Sequence, residues 1–249
     1  MPPEAILSVR GLSKRFDGLL ALEGIDFDVA RGEIFGILGP NGAGKTTLFA
    51  CLVGALAPSA GTVRFRGERI DGLPNYEVVA RGLVRTHQIV RPFREMTVTQ
   101  NVAIGAHFGS RGRGRGAPEE RVAELLRRTG LSHRAGALAG TLTIGELKRL
   151  EIARALATEP AVICLDEVMG GLNPSEIQGA MELIRWVREE GVTVLMIEHH
   201  VHAVVGVSDR ILMLDFGRKI AEGLPATVVN DPAVVAAYLG DVAVPGGRA

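Results

Sequence analysis

Four short apolar runs constrain the fold of this chain most: Ile34–Leu38, Val162–Leu165, Val192–Ile197 and Ile211–Leu214. Each is strand-sized, bounded by turn or polar residues, and apolar on both alternating faces. Segments of helical character lie between them. A strand that is apolar on both faces has to be covered on both sides, so the pattern predicts a parallel sheet between helical layers. Nearer the N-terminus the pattern changes. Residues 6–10 and 24–30 alternate, with Ile25, Phe27 and Val29 on one face and Asp26 and Asp28 on the other. A further run, Thr62–Arg66, follows the turn signal Pro58-Ser-Ala-Gly61. These half-buried strands predict a small antiparallel sheet. Within residues 119–129, Val122, Leu125, Leu126 and Thr129 recur at helical spacing with Glu and Arg opposite.

The 249 residues suffice for one large domain or two small ones. With 47% hydrophobic and 22% charged residues, long disordered stretches are not expected. Lys plus Arg and Asp plus Glu balance at 28 each, which argues against a chain held on nucleic acid or acidic lipid by bulk charge. No apolar run approaches the roughly 18 to 20 residues that span a bilayer. Arg10, Lys14 and Arg15 break the N-terminal apolar stretches, so no signal-peptide core is seen and a cytoplasmic location is expected. Cys51 and Cys164 sit in apolar surroundings and read as small buried hydrophobes. The arginine–glycine stretch 109–116 has no aromatic for base stacking and reads as a solvated loop.

The run Ile34–Leu38 leads directly into Gly39, Pro40, Asn41, Gly42, Ala43, Gly44, Lys45 and Thr46, and then into the helical stretch Thr47–Val53. This is G-x-x-x-x-G-K-[ST] in its strand–loop–helix setting. The glycines let backbone N–H groups wrap around phosphate oxygens at a helix N-terminus. Lys45 would reach the outer phosphates, and the Thr46 hydroxyl would ligate Mg²⁺. A second strand, Val162–Leu165, ends in Asp166 and Glu167. There Asp166 would hold the metal, and Glu167 would act as a general base on a water. Between these motifs, Thr143 and Glu146 form a capping-box pattern ahead of a helical run through Leu156. That helix start is either a plain cap or a second phosphate-binding surface. His199, His200 and His202 lie close in sequence, but no cysteine or carboxylate set completes a metal site there.

In combination these motifs resemble the nucleotide-binding subunits of ATP-binding cassette (ABC) transporters. The family signature L-S-G-G-Q stands here as Leu142-Thr-Ile-Gly-Glu146, with Thr143 keeping the hydroxyl and Gly145 the close backbone approach. The resemblance runs from about residue 5 to residue 240. It implies an α/β fold with a P-loop NTPase core of mainly parallel sheet, an N-terminal antiparallel β subdomain and an α-helical signature subdomain. Residues 1–249 would form one nucleotide-binding domain, with the helical subdomain at about residues 90–155. Carried over residue by residue, Phe16 stacks on adenine and Gly39 to Thr47 cradle the phosphates. Gln88 senses Mg²⁺ and the attacking water, Thr46 and Asp166 serve the metal, and Glu167 is catalytic. His199 contacts the γ-phosphate. Thr143, Gly145 and Glu146 would address the ATP of a second, facing subunit, either identical or different. Val168 and Asn173 stand where the family usually has proline and aspartate.

Several segments look most like the ATPases of branched-chain amino acid uptake systems. They are Arg85-Thr-His-Gln88, Phe93-Arg-Glu-Met-Thr-Val98, Arg149–Arg154, Gly171–Pro174, Ile197-Glu-His199 and Ala237–Gly240. The resemblance implies ATP hydrolysis with Mg²⁺, transmembrane permease partners, an indirect periplasmic solute-binding partner, and a peripheral place on the inner face of the cell membrane. It implies no nucleic-acid partner. An ATPase of a lipopolysaccharide-export system and a non-transport ATPase of the same architecture remain the alternatives.

Overall fold

The computed structural model describes residues 5–86, 91–108 and 118–240. Strands β1 (Ala5–Phe16) and β2 (Leu19–Ala30) form an antiparallel hairpin. Its turn is Asp17-Gly18, both at positive φ, as the two-residue type I′ connection requires. The hairpin is longer than the alternation at 6–10 and 24–30 suggests. Register shifts between Val9 and Arg15 interrupt the period of two, so the outer half does not read as strand in the sequence. After β3 (Ile34–Leu38) and helix α1 (Lys45–Leu52), β4 (Ala60–Phe65) pairs with β1, and the short β5 (Glu68–Arg69) pairs with β4. The first sheet therefore has the order β2-β1-β4-β5.

The chain continues through α2 (Asn75–Arg81) and β6 (Leu83–Arg85) into three helices, α3 (Val98–Phe108), α4 (Pro118–Arg128) and α5 (Ile144–Ala157). These three pack on one another, with Val98 and Val102 of α3, Val122, Leu125 and Leu126 of α4 and Leu150 of α5 buried together. It then alternates through β7 (Val162–Asp166), α6 (Pro174–Glu189), β8 (Thr193–Ile197), α7 (Val201–Val207) and β9 (Arg210–Asp215). It finishes with β10 (Arg218–Gly223), α8 (Pro225–Val229) and α9 (Pro232–Gly240). The second sheet has the order β10-β9-β3-β8-β7-β6, parallel throughout except for the antiparallel edge strand β10.

Every residue of β3, β7 and β8 is buried. Alternate residues serve two interiors. Ile163 and Leu165 of β7 and Val194 and Met196 of β8 face the side that carries the helical lobe. Val162 and Cys164, with Leu195 and Ile197, face α1 and the first sheet, where Phe35 stacks on Phe27 at a centroid separation of 5.5 Å. Each such side chain contributes about 1.5–3 kcal/mol by burial, which is why these strands are continuous apolar runs. Cys51 and Cys164 are both buried free thiols, and burial pushes them up to about 11 and about 12.

Candidate functional site

The phosphate-type loop leaves the carboxyl end of β3 and enters α1. Gly39 has φ 155°, and a Cβ there would lie 2.3 Å from the Leu214 carbonyl oxygen of β9, so only glycine lets the loop turn this close to the sheet. Gly44, at φ 97°, caps α1 and would place a Cβ 2.7 Å from the Ala21 carbonyl oxygen of β2. Lys45 is 5% exposed, and its Nζ donates to the carbonyls of Gly39 and Pro40 at 2.6 and 2.8 Å. The loop thus satisfies its own lysine. Thr46 is exposed and Thr47 half-buried at the start of α1.

A cleft of about 590 Å³ opens over this loop. Its walls include Phe16, Asn41 to Thr47, Glu167, His199 and Phe216. Phe16 stands at the tip of the β1–β2 hairpin, 39% exposed, with Lys14 Nζ 5.0 Å from the ring centroid. Phe216 was not anticipated from the sequence. It sits with Gly217 in a two-residue turn between β9 and β10, both at positive φ, and is 85% exposed. The Gly217 N–H donates to the Ala43 carbonyl, which fixes this turn against the loop. A Phe-Gly pair between two apolar-to-polar runs is the only signal the sequence carries for it.

Asp166 closes β7 and is 1% exposed. Its N–H donates to Thr86 Oγ1, and its Oδ2 accepts from the Arg85 guanidinium of β6. Its Oδ1 is buried with no hydrogen-bond partner among the described residues. Glu167 follows at φ 51°, a left-handed conformation uncommon for a residue with a side chain. This turn swings the carboxylate into the cleft, where Oε1 lies 2.6 Å from His199 Nε2, within hydrogen-bond distance. Gln88 lies outside the described residues, as does the arginine–glycine stretch.

Behind this pair stands Glu198, buried at the end of β8 and accepting from the Met169 N–H at 2.7 Å. Burial pushes its carboxyl up to about 7. Lys148 of α5 donates to the carbonyls of Glu167 and Gly170. Burial pulls the Lys148 ammonium down, against the opposing pull of Glu198, Glu167 and Glu151. These two residues, like Arg85, escape a reading of the sequence because their partners lie elsewhere in the chain.

Thr143, Gly145 and Glu146 are away from the lining of this cleft. Thr143 caps α5 through a reciprocal capping box with Glu146. Gly145 is buried, and a Cβ there would lie 2.8 Å from Glu176 Oε1 of α6. Burial raises the Glu146 carboxyl, but the Thr143 N–H and the charges of Arg134 and His133 outweigh it, so it lies below the ordinary range. Asn173 caps α6 by a second capping box, with Glu176. Among the described residues no cluster of His, Cys, Asp and Glu could hold a metal by itself, and no helix is long and apolar enough to cross a membrane.

A glycine-rich loop at a helix N-terminus, an acidic strand end beside it and a carboxylate–imidazole pair over the same cleft define an ATP-binding P-loop cassette. A family model described as "ABC transporter" matches residues 22–170, and one described as "Branched-chain amino acid ATP-binding cassette transporter" matches residues 218–244. The chain is 40% identical to the high-affinity branched-chain amino acid transport ATP-binding protein LivG of Escherichia coli K12, over 96% of this chain and 99% of that protein. It is 41% identical to BraF of Pseudomonas aeruginosa, described in the same words, over 95% and 98%. It superimposes with a TM-score of 0.85 on an ATP-binding cassette of an ABC transporter in its ADP conformation, at 32% identity, covering 95% of this chain and 99% of that one. This chain belongs to the ABC transporter family, as an ATP-binding, ATP-hydrolysing subunit. Subunits of this kind work with transmembrane permeases.

Proposed function

We propose that this chain energises the uptake of branched-chain amino acids, or of a closely related small solute, through partner permeases. In this reading it works as a single nucleotide-binding domain with a helical subdomain at about residues 90–155. It sits on the inner face of the cell membrane, supplied indirectly by a periplasmic solute-binding protein. The observation that carries the ATPase chemistry is the convergence of Lys45, Phe16, Glu167 and His199 on one cleft. The solute class rests on the likeness to LivG and BraF and on the match at residues 218–244.

Phe16 takes the adenine face. Backbone N–H groups of residues 39–47 surround the phosphates, and Lys45 exchanges its bonds to Gly39 and Pro40 for phosphate oxygens. The donor set fits Mg²⁺, because Asp166 keeps one carboxylate oxygen buried and unpartnered among the described residues while Arg85 holds the other. Thr46, Asp166 and Gln88 would serve that ion, which when bound neutralises phosphate charge. Glu167 accepts a proton from a water as the water oxygen bonds to the γ-phosphorus. The bond from that phosphorus to the β–γ bridging oxygen breaks, and ADP leaves with the electron pair. His199 orients the Glu167 carboxylate and contacts the γ-phosphate.

Thr143, Gly145 and Glu146 lie outside the lining of this cleft, at the exposed N-terminus of α5, and address the ATP of a second cassette lying head to tail. ATP then bridges two chains, and hydrolysis releases the bridge, driving a two-state motion in the permeases. The test is Glu167→Gln. Turnover should fall by about 10²–10⁴-fold with ATP binding retained, and an ATP-bound dimer should accumulate by size-exclusion chromatography. Turnover at the wild-type rate would remove Glu167 from the reaction.

A further inference from the structure

The segment Glu167–Gly170 is short, carries a left-handed residue, and would be expected to flex. Side chains from two other elements hold it instead. Lys148 Nζ of α5 donates to the Glu167 carbonyl at 2.8 Å and also to the Gly170 carbonyl. Glu198, directly after β8, accepts from the Met169 N–H between them. The Glu167 N–H donates to the Ile197 carbonyl at 2.9 Å. A Cβ at Gly170 would lie 3.5 Å from Lys148 Nζ, in ordinary contact, so the ammonium packs directly against this turn. Lys148 sits one helical turn beyond Thr143 and Gly145, on the helix whose N-terminus carries them.

We propose that Lys148 is a positioning residue for hydrolysis, tying the backbone of the Glu167 turn to helix α5. The inference rests on the reading of Glu167 as the general base. Two carbonyls of one turn converge on one ammonium, which is the arrangement needed to keep a left-handed residue from relaxing and carrying its carboxylate out of the cleft. The same bond makes α5 a rigid link within one subunit. Its N-terminal end meets the neighbouring chain's nucleotide, and its first turns hold this chain's own base. Engagement of the partner's γ-phosphate by Thr143 and Gly145 is thereby transmitted to the carboxylate that acts on the other ATP.

The experiment compares Lys148→Met and Lys148→Arg in the full-length chain, measuring kcat and KM for Mg·ATP and the Kd of a fluorescent ATP analogue. Loss of alignment by a fraction of an ångström to 1 Å should lower kcat by about tenfold or more for the methionine variant, with KM and Kd moving by less than about threefold. Arginine, which also donates to two carbonyls, should bring kcat back to within about threefold of wild type. A methionine variant with wild-type kcat would overturn the proposal. So would one whose loss lies in KM and Kd, or an arginine variant as slow as the methionine one. If Lys148→Met does not give a cooperative melt, Lys148→Gln, which keeps an N–H donor without the charge, is judged by the same kcat-against-KM criterion. Glu167→Gln run in parallel separates the two levels. Normal turnover there refutes the general-base reading, whereas a slow Glu167→Gln beside a fast Lys148→Met refutes only the role of Lys148.

Discussion

Replacing Glu198 with glutamine should make this protein less sensitive to alkaline pH. Glu198 is 1% exposed, and burial is the main reason its carboxyl is raised from 4.5 to about 7. The Met169 N–H and Lys148 pull it down, Glu167 pushes it up, and the His199 N–H pulls it down again. In the unfolded chain this carboxyl loses its proton near 4.5, whereas in the folded chain it keeps it until about 7. Across that window the folded state binds more protons, so stability falls as pH rises, and the full cost is reached above the folded value. At 1.36 kcal/mol for each pH unit of separation, the cost from this one side chain comes to about 3 kcal/mol. Glutamine is neutral at every pH, nearly isosteric, and retains an oxygen for the Met169 N–H. In urea unfolding, the stability of Glu198→Gln relative to wild type should therefore rise by about 2–3 kcal/mol between about pH 5 and about pH 8.5. A difference that stays constant across that range would refute the reasoning, because a purely structural effect of the substitution carries no proton dependence.

Arg85→Ala should destabilise the protein by about 3–5 kcal/mol, since Asp166 would then be a buried charge without its cation. With the Asp166 side chain 0% exposed, Asp166→Asn on top of it should recover part of the loss in a thermal melt, and an unchanged melting temperature for Arg85→Ala would count against the pair. Thr143→Ala should cost about 1 kcal/mol through loss of the α5 cap, and Thr143→Ser only a few tenths. Chemical denaturation checks both, and an equal loss for serine would mean the methyl group, not the hydroxyl, is what matters.

The strands buried on both faces were legible because nothing polar interrupts them, and the loop from Gly39 to Thr46 because its glycines, lysine and threonine occupy fixed positions. The capping box at Thr143 and Glu146 was legible for the same local reason. What escaped was short, polar or distant. Strand β6 has three residues, too few to show a period. Strand β10 is an edge strand whose Arg218, Lys219 and Glu222 break any apolar alternation. Arg85 meets Asp166 across 81 residues of chain, and Glu198 meets Met169 across 29, so no window of sequence contains either pair. Helix α9 reaches back far enough that the Gly39 N–H bears on the Tyr238 phenol, which burial otherwise pushes up. Spacing along the chain records local geometry well. It records nothing about which buried charges fold against each other.

Strands β7 and β8 give alternate side chains to two separate interiors. They therefore act as a party wall, with a packed room on each side and with Asp166, Glu167 and His199 along its upper rim. Neither room keeps its shape if the wall is lost, so the helical lobe and the loop-bearing lobe share one fate on unfolding.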